Sequence, residues 1–403
     1  MIAFLGLAIF HLAGSAIRAL ATRCGWKVAL SSPSSAWFAI AVAFAGSLGV
    51  PGVGLLLVLG LVTALTPTLS PSGEREKVAF LPLLILAAIV LARPWMPTEW
   101  DEFVWLGKAR FESLGFGAGV QAALDPSQHV IPAGYPPLWP AAVGWLSLGQ
   151  DSISTHVLAA SLLVLLCAAT ALETFSSTRP IFLALAVFAT PLVWVHLRST
   201  YVDLPVGLLG VAVLGLLLQN PERPPVLAAV LAMVLAGFKD EGLAQVLAAT
   251  LAALIVHRRW RLALPAVLAL VTLGIWRWLV HSHGIPLFDH ALGVPQWNWV
   301  PRLFQLLALH ASDVCSWGGF WAVTLAVVLM PSKNPTTRAL RVMLGLLFVF
   351  TAAALLAGPE RVRVFAENGT LLNRLLLQLW PCATLLVITG FVRFVFREVR
   401  SEP

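Results

Sequence analysis

The sequence predicts an all-α fold, a polytopic bundle of about 11–13 transmembrane helices with its polar groups collected at one membrane face. Three observations lead there. Only 11% of the 403 residues are charged and 59% are hydrophobic, whereas soluble domains carry about 25% charged residues. Apolar runs recur along the whole chain, at roughly the length that a hydrocarbon core of about 30 Å demands. These runs lack the period-2 alternation of barrel strands, and without water a backbone satisfies its own hydrogen bonds as a helix.

In chain order the spanning runs are 2–21, 36–49, 53–69, 78–92, 153–174, 181–196, 204–218 and 226–237, then 243–256, 262–280, 320–330, 339–357 and 375–396. The first run lacks a charged n-region and an obvious A-x-A site, so it reads as a retained helix rather than a cleaved signal peptide. Residues 36–69 form either one long helix or a hairpin broken at Val50-Pro51-Gly52. The shorter run 137–148 has prolines at its start and reads as a dip into the membrane rather than a crossing. The whole chain, 1–403, reads as one integral membrane domain, with a first outer loop over 93–137 and a second over 281–317.

Charge sets the sidedness. With the C-terminus (Arg393, Arg397, Arg400) inside, alternation backward also puts His257-Arg258-Arg259-Trp260-Arg261, Lys333, Arg338, Arg341, Arg223, Arg179, Arg75 and Lys77 inside. With the Pro51 break taken as a hairpin, Arg18, Arg23 and Lys27 join them, as the positive-inside rule asks. The net charge of +7 is therefore a cytoplasmic-loop property. No basic face interleaves with stacking aromatics, so nucleic acid is not an expected partner. Cys24, Cys167, Cys315 and Cys382 show no CxxC or Cys/His ligand spacing. Cys167 and Cys382 fall in apolar runs and read as small buried hydrophobes.

The same sidedness brings five polar stretches to the outer boundary. The first, residues 95–110, reads WMPTEWDEFVWLGKAR and packs Glu99, Asp101, Glu102, Lys108 and Arg110 among aromatics. A carboxylate held partly desolvated there, beside Trp100 and Trp105, suits general-base work or cation binding; a solvated loop with interfacial tryptophans is the plainer alternative. The second contains Tyr201 and Asp203-Leu204-Pro205 at a helix start, where the dipole favours a carboxylate with or without chemistry. The third, Lys239-Asp240-Glu241-Gly242, wedges three charges between apolar runs. It is either a phosphate site or a hairpin tip resting in headgroups. The fourth, Gly134-Tyr135-Pro136-Pro137-Leu138-Trp139-Pro140, is a rigid turn whose tyrosine can stack on a sugar or bond a phosphate, or simply anchor at the interface. The fifth is Asn373-Arg374, a bidentate phosphate ligand or a snorkelling helix-end arginine. His281, His283 and His290 form no convincing metal-ligand pattern.

Together these stretches resemble the GT-C superfamily of membrane glycosyltransferases, such as protein O-mannosyltransferases and the lipid A aminoarabinose transferase. The likeness rests on Trp100-Asp101-Glu102 in the first outer loop, Pro136-Pro137-Leu138 after it, Asp203-Leu204-Pro205 opening a helix and Lys239-Asp240-Glu241-Gly242. It covers roughly residues 95–242, with a weaker match at Arg374. It departs where the aminoarabinose transferases carry Glu-Lys before Pro-Pro and this chain has Gly134-Tyr135. The resemblance implies sugar transfer from a polyprenyl-phosphate-linked donor to a lipid, glycan or protein hydroxyl, outside a bacterial inner membrane. It gives catalytic roles to Asp101, Glu102 and Asp203, donor-phosphate binding to Lys239, Arg374 and Tyr135, and sugar or acceptor contacts to Trp100, Trp105, Tyr201 and Glu241. No cofactor is required by this scheme, although the Asp-Glu pair is compatible with a divalent metal. Two other readings stay open: an O-antigen-ligase-type transferase, and a transporter or flippase of a lipid-linked saccharide with charges on broken helices.

Overall fold

Among the described residues eight apolar helices follow one another, and five of them are long and apolar enough to cross a membrane. The computed structural model describes residues 36–37, 40–41, 100–128, 134–175, 189–197, 199–222, 226–286, 293–369 and 371–398, with the side chains of 100, 101 and 391–398 excepted. Among the described residues every regular element is helical. The runs 2–21, 53–69 and 78–92, with most of 36–49 and the first half of 181–196, lie outside them, as do Arg18, Arg23, Lys27, Arg75, Lys77, Arg179 and Arg223.

The helices are α1 (Trp100–Arg110), α2 (Ala118–Ala123), α3 (Leu138–Leu146), α4 (Ile153–Thr174), α5 (Pro191–His196), α6 (Asp203–Gln219), α7 (Val226–Phe238) and α8 (Asp240–His257). They continue as α9 (Leu264–Ser282), α10 (Val300–Ala311), α11 (Val314–Trp317), α12 (Phe320–Leu329), α13 (Pro335–Ala357), α14 (Glu360–Glu367) and α15 (Leu372–Glu398). Prolines near the starts of α5, α9, α10 and α13 fit, because the first-turn N–H has no intrahelical acceptor anyway. Asn334 caps α13 by accepting from Thr336 N at 2.9 Å.

The two segments expected as outer loops are more ordered than the sequence suggests. The first holds α1 and α2, and the second holds α10 and α11. In 100–110 the charged and aromatic residues read as loop by composition, yet few of them disfavour helix, and the face carrying Trp105, Leu106 and Ala109 is buried.

Helix α6 is central, packed against α4, α7, α8 and α15. Every residue from Asp203 to Leu217 in it is buried, as befits a helix apolar on all sides. The spanning window of α4 is 83% buried and that of α15 78%, against 39% for α13, so α13 presents much of its apolar surface outward. From the N-terminal fragment, Trp37 donates to Thr170 Oγ1 of α4 at 3.0 Å. Cys167 and Cys382 are buried as expected, while Cys315 is exposed.

Helix direction sorts the polar residues by end. The α6–α7 and α8–α9 connections meet at one end, where Glu222 pairs with Arg259 at 2.7 Å. At the other end meet the starts of α6, α8 and α15, the end of α7 and the last turns of α9.

Candidate functional site

Asp203 is the first residue of α6 and is completely buried. Its Oδ1 accepts from Lys239 Nζ at 2.9 Å and Gln378 Nε2 at 2.7 Å, and its Oδ2 accepts from Arg374 Nε at 2.9 Å. A buried carboxylate is tolerable only with such compensation. Lys239 sits in extended conformation between α7 and α8, with Glu241 Oε1 3.0 Å from its ammonium. A headgroup-exposed hairpin tip would leave Lys239 solvated, but its side chain is only 2% exposed. Gly242 makes the tight entry into α8 feasible, since a methyl there would collide with the Leu235 carbonyl of α7.

Arg374, in the first turn of α15, lies over the Tyr201 ring, 4.6 Å from its centroid. It does not snorkel: it is held between a carboxylate and an aromatic face, an arrangement suited to a planar guanidinium. The Tyr201 ring also meets the His196 imidazole at 5.0 Å.

The Pro-rich turn brings Tyr135 to the same place. Its ring lies 5.8 Å from Lys239 Nζ, 5.7 Å from Lys108 Nζ and 5.8 Å from the Trp105 ring. Burial raises the Tyr135 phenol above its ordinary range, so it acts there as a neutral hydroxyl. The turn itself is fixed from α9, where Trp276 Nε1 and Arg277 Nη1 each donate to the Gly134 carbonyl at 3.0 Å. Arg277 also forms an ion pair with Asp240. Trp139 of α3 donates to Thr200 O at 2.9 Å.

Helix α1 joins the cluster through Glu102, which is buried; its Oε1 accepts from Thr200 N at 3.4 Å, and its carbonyl accepts from Thr200 Oγ1 at 3.2 Å. Lys108, two turns along, is buried over the Trp105 ring at 5.3 Å, and burial pushes its pKa down to about 7. Trp100 and Asp101 open this helix, and their side chains lie outside the described residues. Glu112, just beyond α1, is occupied structurally, accepting from Gly117 N, Gly119 N and Trp145 Nε1 at 2.7–2.9 Å.

Glu102, Trp105, Tyr135, Tyr201, Asp203, Lys239, Glu241 and Arg374 therefore form one connected cluster, although the sequence scatters them. Sequence reasoning missed Gln378, His196 and the pairing of Arg277 with Asp240, and gave Lys108 no role. Gln378 had a signal: a polar side chain one helical turn after Arg374 shares its face. For metal binding, no group of three or more His, Cys, Asp or Glu side chains gathers among the described residues.

Chemically, the cluster offers two cations anchored on one shared carboxylate, with Glu241 also 3.0 Å from the buried ammonium. Two tyrosines and a tryptophan line it at the polar end of an apolar bundle. Such a site suits an anionic group attached to a lipid. Compared with protein-family models, curated proteins and solved structures, the chain gives no significant match.

Proposed function

We propose that this chain is a GT-C-type glycosyltransferase of a bacterial cytoplasmic membrane, working on the extracytoplasmic side. It moves a sugar from a polyprenyl phosphate carrier to an acceptor hydroxyl. The observation that carries this reading is the pair Lys239 and Arg374, both anchored on Asp203 within 2.9 Å at one end of an apolar helix bundle. An ammonium and a guanidinium so placed match a phosphate headgroup whose polyprenyl tail runs along the apolar helices.

In this mechanism the acceptor oxygen attacks the anomeric carbon as the bond from that carbon to the phosphate oxygen breaks. The hydroxyl proton passes to Asp101. The departing polyprenyl phosphate keeps the bonding electrons, and its growing charge is stabilised by Lys239 and Arg374. Asp203 has all three of its neighbouring donors bound, so its part is to hold the two cations rather than to take a proton. Glu102 anchors α1 to the Thr200 segment, and so sets Asp101 relative to Asp203. Tyr135 joins Lys239 and Arg374 at the donor phosphate, and Tyr201, Trp105 and Glu241 line the sugar and acceptor side. The scheme needs no cofactor and leaves a divalent metal compatible with Asp101 and Glu102.

The test is incubation of the purified protein in bilayers with a panel of polyprenyl phosphate sugars and hydroxyl acceptors, scoring free polyprenyl phosphate and glycosylated product. Release coupled to product with one donor is expected. Movement of lipid-linked saccharide across sealed vesicles without any product would instead make the chain a transporter.

A further inference from the structure

Lys239 and Asp240 are adjacent in sequence but have separate partners. Lys239 turns to Asp203 at 2.9 Å, whereas Asp240 pairs with Arg277 of α9. Arg277 reaches further, donating to the Gly134 carbonyl at 3.0 Å, and Gly134 precedes Tyr135, whose ring lies 5.8 Å from Lys239. The contacts close a loop: Lys239, Asp240, Arg277, Gly134, Tyr135 and back to Lys239. Trp276 donates to the same carbonyl at 3.0 Å, so the turn has a neutral anchor of its own. The guanidinium therefore has a task that holding the turn does not explain.

Resting on the donor-phosphate reading above, we infer that Arg277 is a positioning residue which neutralises Asp240 and so keeps Lys239 directed toward the donor phosphate. Without Arg277, the released carboxylate of Asp240 joins Asp203 and Glu241 in drawing on the Lys239 ammonium, and adds negative charge where an anionic headgroup must dock. Nothing in this role brings Arg277 to the reacting atoms. Its effect travels through Asp240 to Lys239.

The experiment measures affinity for a short-chain polyprenyl phosphate in detergent by tryptophan fluorescence, alongside donor KM and kcat. Arg277→Ala is expected to weaken binding about tenfold, the scale of coupling between neighbouring charged groups. Donor KM rises in proportion, and kcat falls less than KM rises. Adding Asp240→Asn to Arg277→Ala restores most of the affinity, which a purely structural clamp on Gly134 would not do. Where Arg277→Ala alone fails to fold, Arg277→Gln with Asp240→Asn removes both charges and keeps a donor for the turn; near wild-type affinity is expected.

Wild-type affinity in Arg277→Ala, or a double variant as weak as the single one, overturns the positioning role and leaves the donor reading standing. A tenfold loss in the Arg277→Gln/Asp240→Asn variant does the same. A wild-type protein that binds no polyprenyl phosphate overturns the donor reading, and this inference with it.

Discussion

Lys239 Nζ lies 2.9 Å from Asp203 Oδ1, across 36 residues of sequence, and neither side chain meets solvent. Burying both ions is unfavourable by itself, and their attraction offsets that only because further hydrogen bonds complete the geometry. Gln378 and Arg374 supply those bonds from α15. The pair thus fastens the start of α6 to the α7–α8 junction and to α15.

Asp203→Asn removes the carboxylate that Lys239 and Arg374 share. Deleting one partner of a buried pair destabilises by about 3–5 kcal/mol, because the remaining charge stays buried. A marked fall in Tm and in monodisperse yield from detergent is expected. An unchanged Tm would show that Lys239 relaxes to Glu241, already 3.0 Å away, without loss.

Asp101→Asn separates chemistry from folding. Asp101 lies in the first turn of α1, and the next residue, Glu102, meets Thr200 just ahead of Asp203. An amide cannot take the acceptor proton, so sugar transfer is expected to vanish while Tm and membrane insertion match wild type. Turnover at the wild-type rate would remove Asp101 from the chemistry.

The convergence of Asp203, Lys239 and Arg374 was legible in the sequence because ionisable groups in apolar runs are costly and thus informative. Alternation of the helices then brought them to one end. The partners were not legible. Nothing in the sequence distinguishes Lys239 buried on Asp203 from Lys239 solvated at a hairpin tip, since the difference lies in how α6 and α15 pack. The Arg277–Asp240 pair is likewise a tertiary contact with no local pattern. Residues 100–110 looked like loop because their charges interrupt the apolar periodicity, and only packing of α1 on α3 and α4 shows which face is buried.

Lys108 predicts a pH-dependent stability difference. Burial outweighs the attraction of the Trp105 and Tyr135 rings and brings the ammonium pKa down to about 7, from 10.5 in the unfolded chain. The folded state then disfavours the charged form. That penalty is complete below pH 7, where both states are protonated, and is relieved as pH rises from 7 toward 10.5. Lys108→Met is expected to be most stabilised relative to wild type below pH 7, with the gap narrowing steadily above it. Denaturation of both proteins across that range checks the sign; a gap that widens with pH would mean the charged ammonium is the favoured form.

Gly207→Ala tests whether the site depends on close helix packing. Gly207 lies one turn into α6, and a methyl built there would collide with the Gln378 carbonyl of α15. That oxygen is in the helix backbone and also accepts from Gln245 Nε2 at 3.1 Å, so it cannot swing away as a side chain could. Relief requires α15 to move outward, carrying Arg374 and the Gln378 side chain away from Asp203. Overpacking of this kind destabilises by about 1–3 kcal/mol. Donor affinity is expected to fall as well, because Arg374 and Lys239 would no longer be held at one spacing. Measured Tm and polyprenyl phosphate affinity should therefore drop together in Gly207→Ala, whereas Gly274→Ala on α9, with open space around the added methyl, should leave affinity unchanged and hold or raise Tm. A Gly207→Ala protein that loses stability but binds donor normally would show that the cations keep their places without the α6–α15 contact.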